Sequence, residues 1–404
     1  MAWYTDDFLK ALPKTDLHVH LDGSLRLQTL IDLAHQKRVS LPSYTLEGLN
    51  ELVFKPHYKN LEEYLQGFAY TTAVMQDFES LERVAYELAL DNAAEGVKYL
   101  EVRFAPQLHM SSTLDFGQVM EAVDKGLRRG KSEINQNLDP QDPEFEFGII
   151  VCAMRYFNQH FSEYYRDFTR AHRFSTEKEV IRYASLELAK AAVTLSKTSN
   201  IQLVAFDLAG SEYGYPASAH EDSYDLIHKS FLKKTVHAGE AYGAESIFQA
   251  VTDLHADRIG HGLHLFDESS VKSPQVTNKE TYIRGLVDYI ADRRTTLEVC
   301  LTSNLQTVPA IRGSIQNHSL GRMLENNLSI TLCTDNRLVS HTTVTDELKL
   351  ALDTFAIGPK ELRNIIVYGF KRSFYFHPYP EKRKWVRKVI DMYDRVAKEH
   401  DVRS

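Results

Sequence analysis

Residues 13–23 read PKTDLHVHLDG. Side chains two apart on a β-strand share a face, so His18 and His20 point the same way if this apolar run is extended. An isolated pair of this kind fits a structural role as well as a metal. The rest of the chain changes that balance. His237 stands in TVHAGE (235–240), His261 in RIGHG (258–262) and Asp335 in TLCTD (331–335), each at the end of another apolar, strand-like run. Imidazoles and a carboxylate from such distant segments meet only if the strand ends meet, as they do at one mouth of a closed barrel. That donor set suits zinc.

Working outward, short β-branched runs alternate with longer stretches of helical period, the pattern of repeated βα units. Eight candidate strands fall at roughly 14–21, 97–104, 145–153, 201–208, 233–238, 257–261, 295–301 and 328–334. Eight parallel strands close a (β/α)8 TIM barrel, whose active sites lie at the carboxyl ends of the strands. The expected fold is therefore α/β, a (β/α)8 barrel with extra helices over the carboxyl-end mouth, in one domain over 1–404. SLERVAYELALDNAAEG (80–96) reads as a helix capped by Ser80 and ended by Gly96, and EKEVIRYASLELAKAAVTLSK (177–197) as another. KSEINQNLDPQDPE (131–144) reads as a surface loop. Residues 40–70 form an excursion placed where a lid would sit. Helices near 343–356, 359–376 and 380–400 complete the outer ring.

Composition narrows the function classes. The 404 residues are 43% hydrophobic and 25% charged, enough for one large core, and the net charge of −8 argues against a surface that tracks nucleic-acid phosphates. Cys152, Cys300 and Cys333 lie in apolar runs and read as buried thiols in a reducing compartment. The start, MAWYTDDFLKALPK, has no secretion-signal pattern, and no run approaches the length of a membrane span. The expectation is a cytoplasmic protein acting on a small molecule. Oligomeric state is not legible.

As a set, PKTDLHVHLDGS, EVRFAPQLH, FDLAGSE, TVHAGE, RIGHGLH, LEVCLTSN and TLCTDN resemble the successive motifs of the adenosine deaminase family, in order and over nearly the whole chain. The resemblance implies a zinc hydrolase that converts adenosine, and 2′-deoxyadenosine, to the inosine product and ammonia in purine salvage. It implies one Zn2+ per chain on His18, His20, His237 and Asp335, with a water in the open position that His261 orients and helps to deprotonate. Glu240, three residues after His237, is the expected acid that protonates ring nitrogen 1; its bland reading is a helix-terminal glutamate. For substrate contact the resemblance points to His20, to Asp22 at the ribose 5′ hydroxyl and to the Gly210 backbone amide at the purine, although Asp22-Gly23 is also an ordinary turn pair. Asp207 is expected behind the ligands. Leu61, Tyr64 and Phe68 match an apolar gate, though their spacing alone says core.

Two departures leave the substrate open. Asn336 follows Asp335 where relatives often carry a second aspartate; an amide donates to ring nitrogen 7 at any pH. Tyr156 stands where relatives often carry histidine, followed by Phe157, Phe161, Tyr164, Tyr165 and Phe168, which read either as helix core or as the wall of a pocket for a larger 5′ group. Aminodeoxyfutalosine and N6-methyl-AMP are the alternative substrates, and a non-catalytic nucleoside binder the alternative class. A binuclear hydrolase would carry a bridging lysine in the fourth strand, and IQLVAFDLAG (201–210) has none.

Overall fold

A computed structural model describes residues 4–402, so the expected limits of 1 and 404 lie outside the described residues. The eight strands are β1 (Lys14–His20), β2 (Val97–Phe104), β3 (Glu146–Met154), β4 (Leu203–Ala209), β5 (Lys233–Ala238), β6 (Arg258–His261), β7 (Thr296–Val299) and β8 (Ile330–Leu332). They pair in chain order, every pairing parallel. The ring closes just beyond β8, where Val19 bridges Asp335 and His20 N donates to Asp335 O at 2.7 Å. The α/β barrel read from the sequence is the observed fold, with helices flanking it.

The last strands are shorter than expected for a local reason. β7 stops at Val299 because the Leu301 backbone N–H turns to the Glu347 carboxylate at 2.8 Å, and Leu301–Thr307 winds into a helix. Two other expectations are corrected. The second long helix spans Phe78–Ala94, and its cap is Asp77, whose carboxylate accepts from Ser80 N; Ser80 lies inside the first turn, buried. Gly96, at φ +91, does follow its end. The segment 131–144 is not all loop, since the helix Phe116–Asn135 runs on through Lys131–Asn135 and Asn135 ties the loop back to Phe145 by two side-chain hydrogen bonds.

The excursion after β1 holds the short helices Leu46–Leu52, Leu61–Leu65 and Phe68–Val74. The terminal helices Val344–Thr354, Pro359–Arg372 and Tyr379–Glu399 pack on the outside, the middle one against β8 and β1. Cys152, Cys300 and Cys333 are buried free thiols, as their apolar setting predicts. Among the described residues no helix is long and apolar enough to cross a membrane.

Candidate active site

His18 and His20 leave the end of β1 on one face, His237 leaves β5, and Asp335 lies just past β8. Their ligand atoms all fall within 4.8 Å of one another. His20 Nε2 and His237 Nε2 are 3.1 Å apart, and Asp335 Oδ1 lies 3.4 Å from His18 Nε2 and 3.5 Å from His20 Nε2. His18 Nε2 is buried without a hydrogen-bond partner. Three imidazoles and one carboxylate converging this closely, with one ring nitrogen buried and unpartnered, are a donor set that fits a metal ion. Glu240, His261 and Asp335 form an overlapping group, with His261 Nε2 3.7 Å from Glu240 Oε2.

The backbone is bent to make this cluster. Asp335 (φ 60) and His261 (φ 64) both adopt the left-handed conformation, which costs a non-glycine residue on the order of 1–3 kcal/mol. Gly260 leaves room beside them: a Cβ there would lie 2.9 Å from His18 Cε1 and 3.2 Å from the His237 Cα. Behind the imidazoles stands a layer of buried charge. His18 Nδ1 meets Glu298 at 2.9 Å and His237 Nδ1 meets Asp207 at 3.1 Å. Arg103 donates to both carboxylates, to Asp207 at 2.9 Å and to Glu298 at 2.8 Å. Each carboxylate fixes the ring's Nδ1 proton and so aims the Nε2 lone pair inward. Asp207 thus stands behind a ligand, as the sequence suggested; Arg103 and Glu298 lay inside quoted motifs without an assigned role. Their signal was a charged residue amid the apolar run of a barrel strand, which must find a buried partner.

His261 is held differently, and its tautomer can be followed from a backbone donor. Leu320 N–H donates to His318 Nδ1 at 3.0 Å, which leaves His318 Nε2 to donate to Asn304 Oδ1 at 3.2 Å. The Asn304 amide then presents Nδ2 to His261 Nδ1 at 3.1 Å, so neutral His261 carries its hydrogen on Nε2 and aims a donor into the site. Burial holds His261 and His20 well below the usual histidine range. Burial alone would raise Asp335, yet the imidazoles of His18, His261 and His20 hold its carboxyl well below its ordinary value. Glu240 goes the other way: burial first, then the carboxylates of Asp335 and Glu212, push it well above the usual range.

Glu240 is positioned by Glu212, which lay inside a quoted motif without an assigned role. The Glu212 carboxylate accepts from the backbone N–H groups of Gly239 (2.8 Å), Glu240 (2.9 Å), Ala241 (2.7 Å) and Tyr242 (3.0 Å), clamping the turn after β5. The acid in FDLAGSE is therefore a loop anchor.

His20, His237, Glu240, His261 and Asp335 line a cavity of about 1,050 Å3. Asp22, Gly210 and Asn336 line it too, with Leu61, Tyr64 and Phe68 from the excursion. Gly210 sits at φ +95, so its conformation rather than crowding calls for glycine. Asp22 is buried with Oδ1 unpartnered and Oδ2 4.0 Å from His109 Nε2, and burial pushes its pKa up to about 7. Asn336 differs from expectation: Nδ2 already donates to the Tyr64 hydroxyl at 2.8 Å, while Oδ1 is buried without a partner. The aromatic segment after β3 divides. Phe157 and Tyr165 stack in a small core with Val180 and Ile181, whereas Tyr156 and Phe161 line the cavity.

A family model described as "Adenosine deaminase" matches residues 13–181 and 178–392. The adenosine deaminase of Mycobacterium marinum is 33% identical over 372 residues, covering 92% of either chain. Among solved structures, a Burkholderia ambifaria amidohydrolase with bound Zn superposes with a TM-score of 0.76 at 17% identity, over 98% of this chain and 95% of that one. An Arabidopsis N6-mAMP deaminase gives 0.71 at 24% identity, over 95% and 99%. At these identities the structures speak for the fold.

Proposed function

The chain belongs to the adenosine deaminase family of metal-dependent hydrolases, and from that premise we propose that it deaminates adenosine and 2′-deoxyadenosine, releasing ammonia and leaving the inosine product, in cytoplasmic purine salvage. The observation that carries this reading is a strongly proton-holding carboxyl, Glu240, beside a three-histidine, one-carboxylate cluster on the same cavity. His18, His20, His237 and Asp335 would hold one Zn2+. Such an ion, when bound, brings the pKa of a coordinated water from about 15.7 to about 7.

The chain's own residues do the rest. Glu240, held well above the usual carboxylate range, delivers its proton to ring nitrogen 1 as the water oxygen bonds to carbon 6; one proton of that water returns to the Glu240 carboxylate, the other passes to the exocyclic amine, and the carbon–nitrogen bond breaks to release ammonia. His261 donates from Nε2 and orients the incoming oxygen, a role its hydrogen-bond chain supports. Arg103, through Glu298 and Asp207, keeps His18 and His237 aimed. The Gly210 amide faces the purine and Asp22 the ribose, while Leu61, Tyr64 and Phe68 exclude water over the base. With its donor engaged by Tyr64, Asn336 reaches ring nitrogen 7 only through its second amide hydrogen.

A second reading concerns the 5′ group. The cavity exceeds the range of about 300–1,000 Å3 typical of small-ligand pockets, and Tyr156, Phe161 and Arg166 line its wall, which favours a larger 5′ substituent. Zinc-loaded protein should release ammonia from adenosine faster than from adenine or AMP. Preference for aminodeoxyfutalosine, or methylamine release from N6-methyl-AMP, would replace the substrate and keep the chemistry. Adenosine binding without amine release from any of these would make the chain a binder.

A further inference from the structure

At the other end of the barrel, the starts of β5, β6 and β7 open into a second recess of about 510 Å3. Seven lysine and arginine side chains line it against one carboxylate, Asp257. Three adjacent pairs converge there: Lys233 and Lys234 open β5, Arg293 and Arg294 precede β7, and Lys371 and Arg372 end the helix Pro359–Arg372. Lys382 reaches in from the next helix. Asp257 is taken by Lys234 at 3.2 Å, and among the described residues no carboxylate oxygen lies within 4.0 Å of a charged nitrogen on the other six. The acids just inside the barrel are engaged: Glu101 and Glu298 both hold Arg258, and Glu298 also holds Arg103.

Helix dipoles account for part of this charge. The helices Glu221–Lys229, Lys279–Arg293 and Pro359–Arg372 end at this mouth, and cations suit helix carboxyl ends. That explains Arg293, Lys371 and Arg372. It does not explain Lys233 and Lys234, which begin a strand, and it runs against Lys382, which sits in the first turn of Tyr379–Glu399 at the positive end of the dipole. Lys382 Nζ is fixed by the carbonyls of Lys371 (2.9 Å) and Ser373 (2.6 Å). Its pKa is pushed down to about 8, first by burial and, against the pull of Glu101, by Arg258, Lys233 and Arg372. Arg372 Nε is buried without a partner. Cations this close repel one another unless an anion lies between them.

We propose that this recess binds a small polyphosphate anion, held chiefly by Lys233, Arg294, Arg372 and Lys382, at the mouth opposite the metal cluster. At about 510 Å3, with three basic pairs and Lys382 on its walls, the recess has the room and the charge for more than one phosphate group. Its apolar lining, Val251, Ala256 and Phe374, is too small to select an organic group, so charge decides the ligand.

The probe is inorganic pyrophosphate, titrated calorimetrically into the metal-loaded full chain, with metal content measured afterwards because pyrophosphate also chelates. One equivalent should bind, with orthophosphate at least about tenfold weaker. The exposed double variant Lys233→Gln/Arg294→Gln should lose at least about tenfold in affinity, since each lost charge-assisted hydrogen bond accounts for about that factor. Lys371→Gln/Lys382→Gln should do the same, so the outcome does not hang on one variant's folding. No saturable binding by the wild type, or unchanged affinity in both variants, overturns the site. Deaminase activity plays no part in this test, so failure of the proposed reaction leaves it standing.

Discussion

The two mouths of the barrel handle charge in opposite ways. At the carboxyl-end mouth a buried neighbour fixes the direction of most of the converging groups: Glu298 for His18, Asp207 for His237, Asn304 for His261, Glu212 for the turn that carries Glu240. At the amino-end mouth six of seven cations have no carboxylate within 4.0 Å among the described residues and lie partly in solvent. A desolvated charge costs several kcal/mol unless paired, so the first arrangement is possible only with its full supporting layer. A half-exposed cation is tolerated by water and can wait for a ligand. Between them, Arg258 and Arg103 share Glu298, so one carboxylate links the buried cations of the interior and aims the His18 imidazole.

The largest test of this contrast is to remove a ligand from the crowded mouth. His18→Ala should leave protein with under about a tenth of an equivalent of zinc and no measurable deamination, because a three-ligand remnant also leaves Glu298 without its imidazole. Metal analysis decides it; a full equivalent of zinc in the variant contradicts the ligand set. Glu240→Gln comes next. It should keep its zinc and lower kcat by at least about a hundredfold, the effect of losing a positioned acid. The sign of the pH dependence follows from Glu240 being held well above the usual range. The wild-type acid is competent while protonated, so kcat/KM falls as pH rises through that raised value, and this alkaline limb should vanish in the variant. A limb that survives unchanged belongs to another group.

How far the sequence alone reached follows the same division. The eight strands were legible because each is an apolar run bounded by turn residues, and the metal cluster because a strand's end is a fixed address in a barrel. The limit of β7 was not, since it depends on where a carboxylate far along the chain, Glu347, captures the Leu301 backbone. Asp77 displaced Ser80 as the cap because either residue type suits that position and only the geometry selects. The aromatic run after β3 could not be divided by period: Phe157 and Tyr165 stack inward while Tyr156 and Phe161 face the cavity, a matter of where the loop bends. Arg103, Glu298 and Glu212 were hidden because a charge in a strand or turn gives no sign of its partner's identity. The basic recess was hidden most completely. Lys233-Lys234, Arg293-Arg294 and Lys371-Arg372 are separated by about sixty residues or more, and each pair alone reads as an ordinary solvated surface.

The smallest expected effect lies at that recess and separates the two mouths most cleanly. Lys233 is exposed and pushes on the half-buried Lys382, so Lys233→Gln removes repulsion without opening a cavity or stranding a partner. The variant should unfold at a slightly higher temperature than the wild type at low ionic strength, by a gain of roughly 0.2–1 kcal/mol, the scale of exposed charge pairs. Raising salt shortens the Debye length to about 8 Å at 0.15 M and about 3 Å at 1 M, so the gain should shrink towards zero. Polyphosphate should reverse its sign, because an anion stabilises the wild-type recess more than the variant. Melting curves at two salt concentrations, with and without pyrophosphate, check all three statements. A variant that is less stable than wild type at low salt would mean that Lys233 is already matched by a negative group, and the amino-end mouth would then resemble the carboxyl-end one after all.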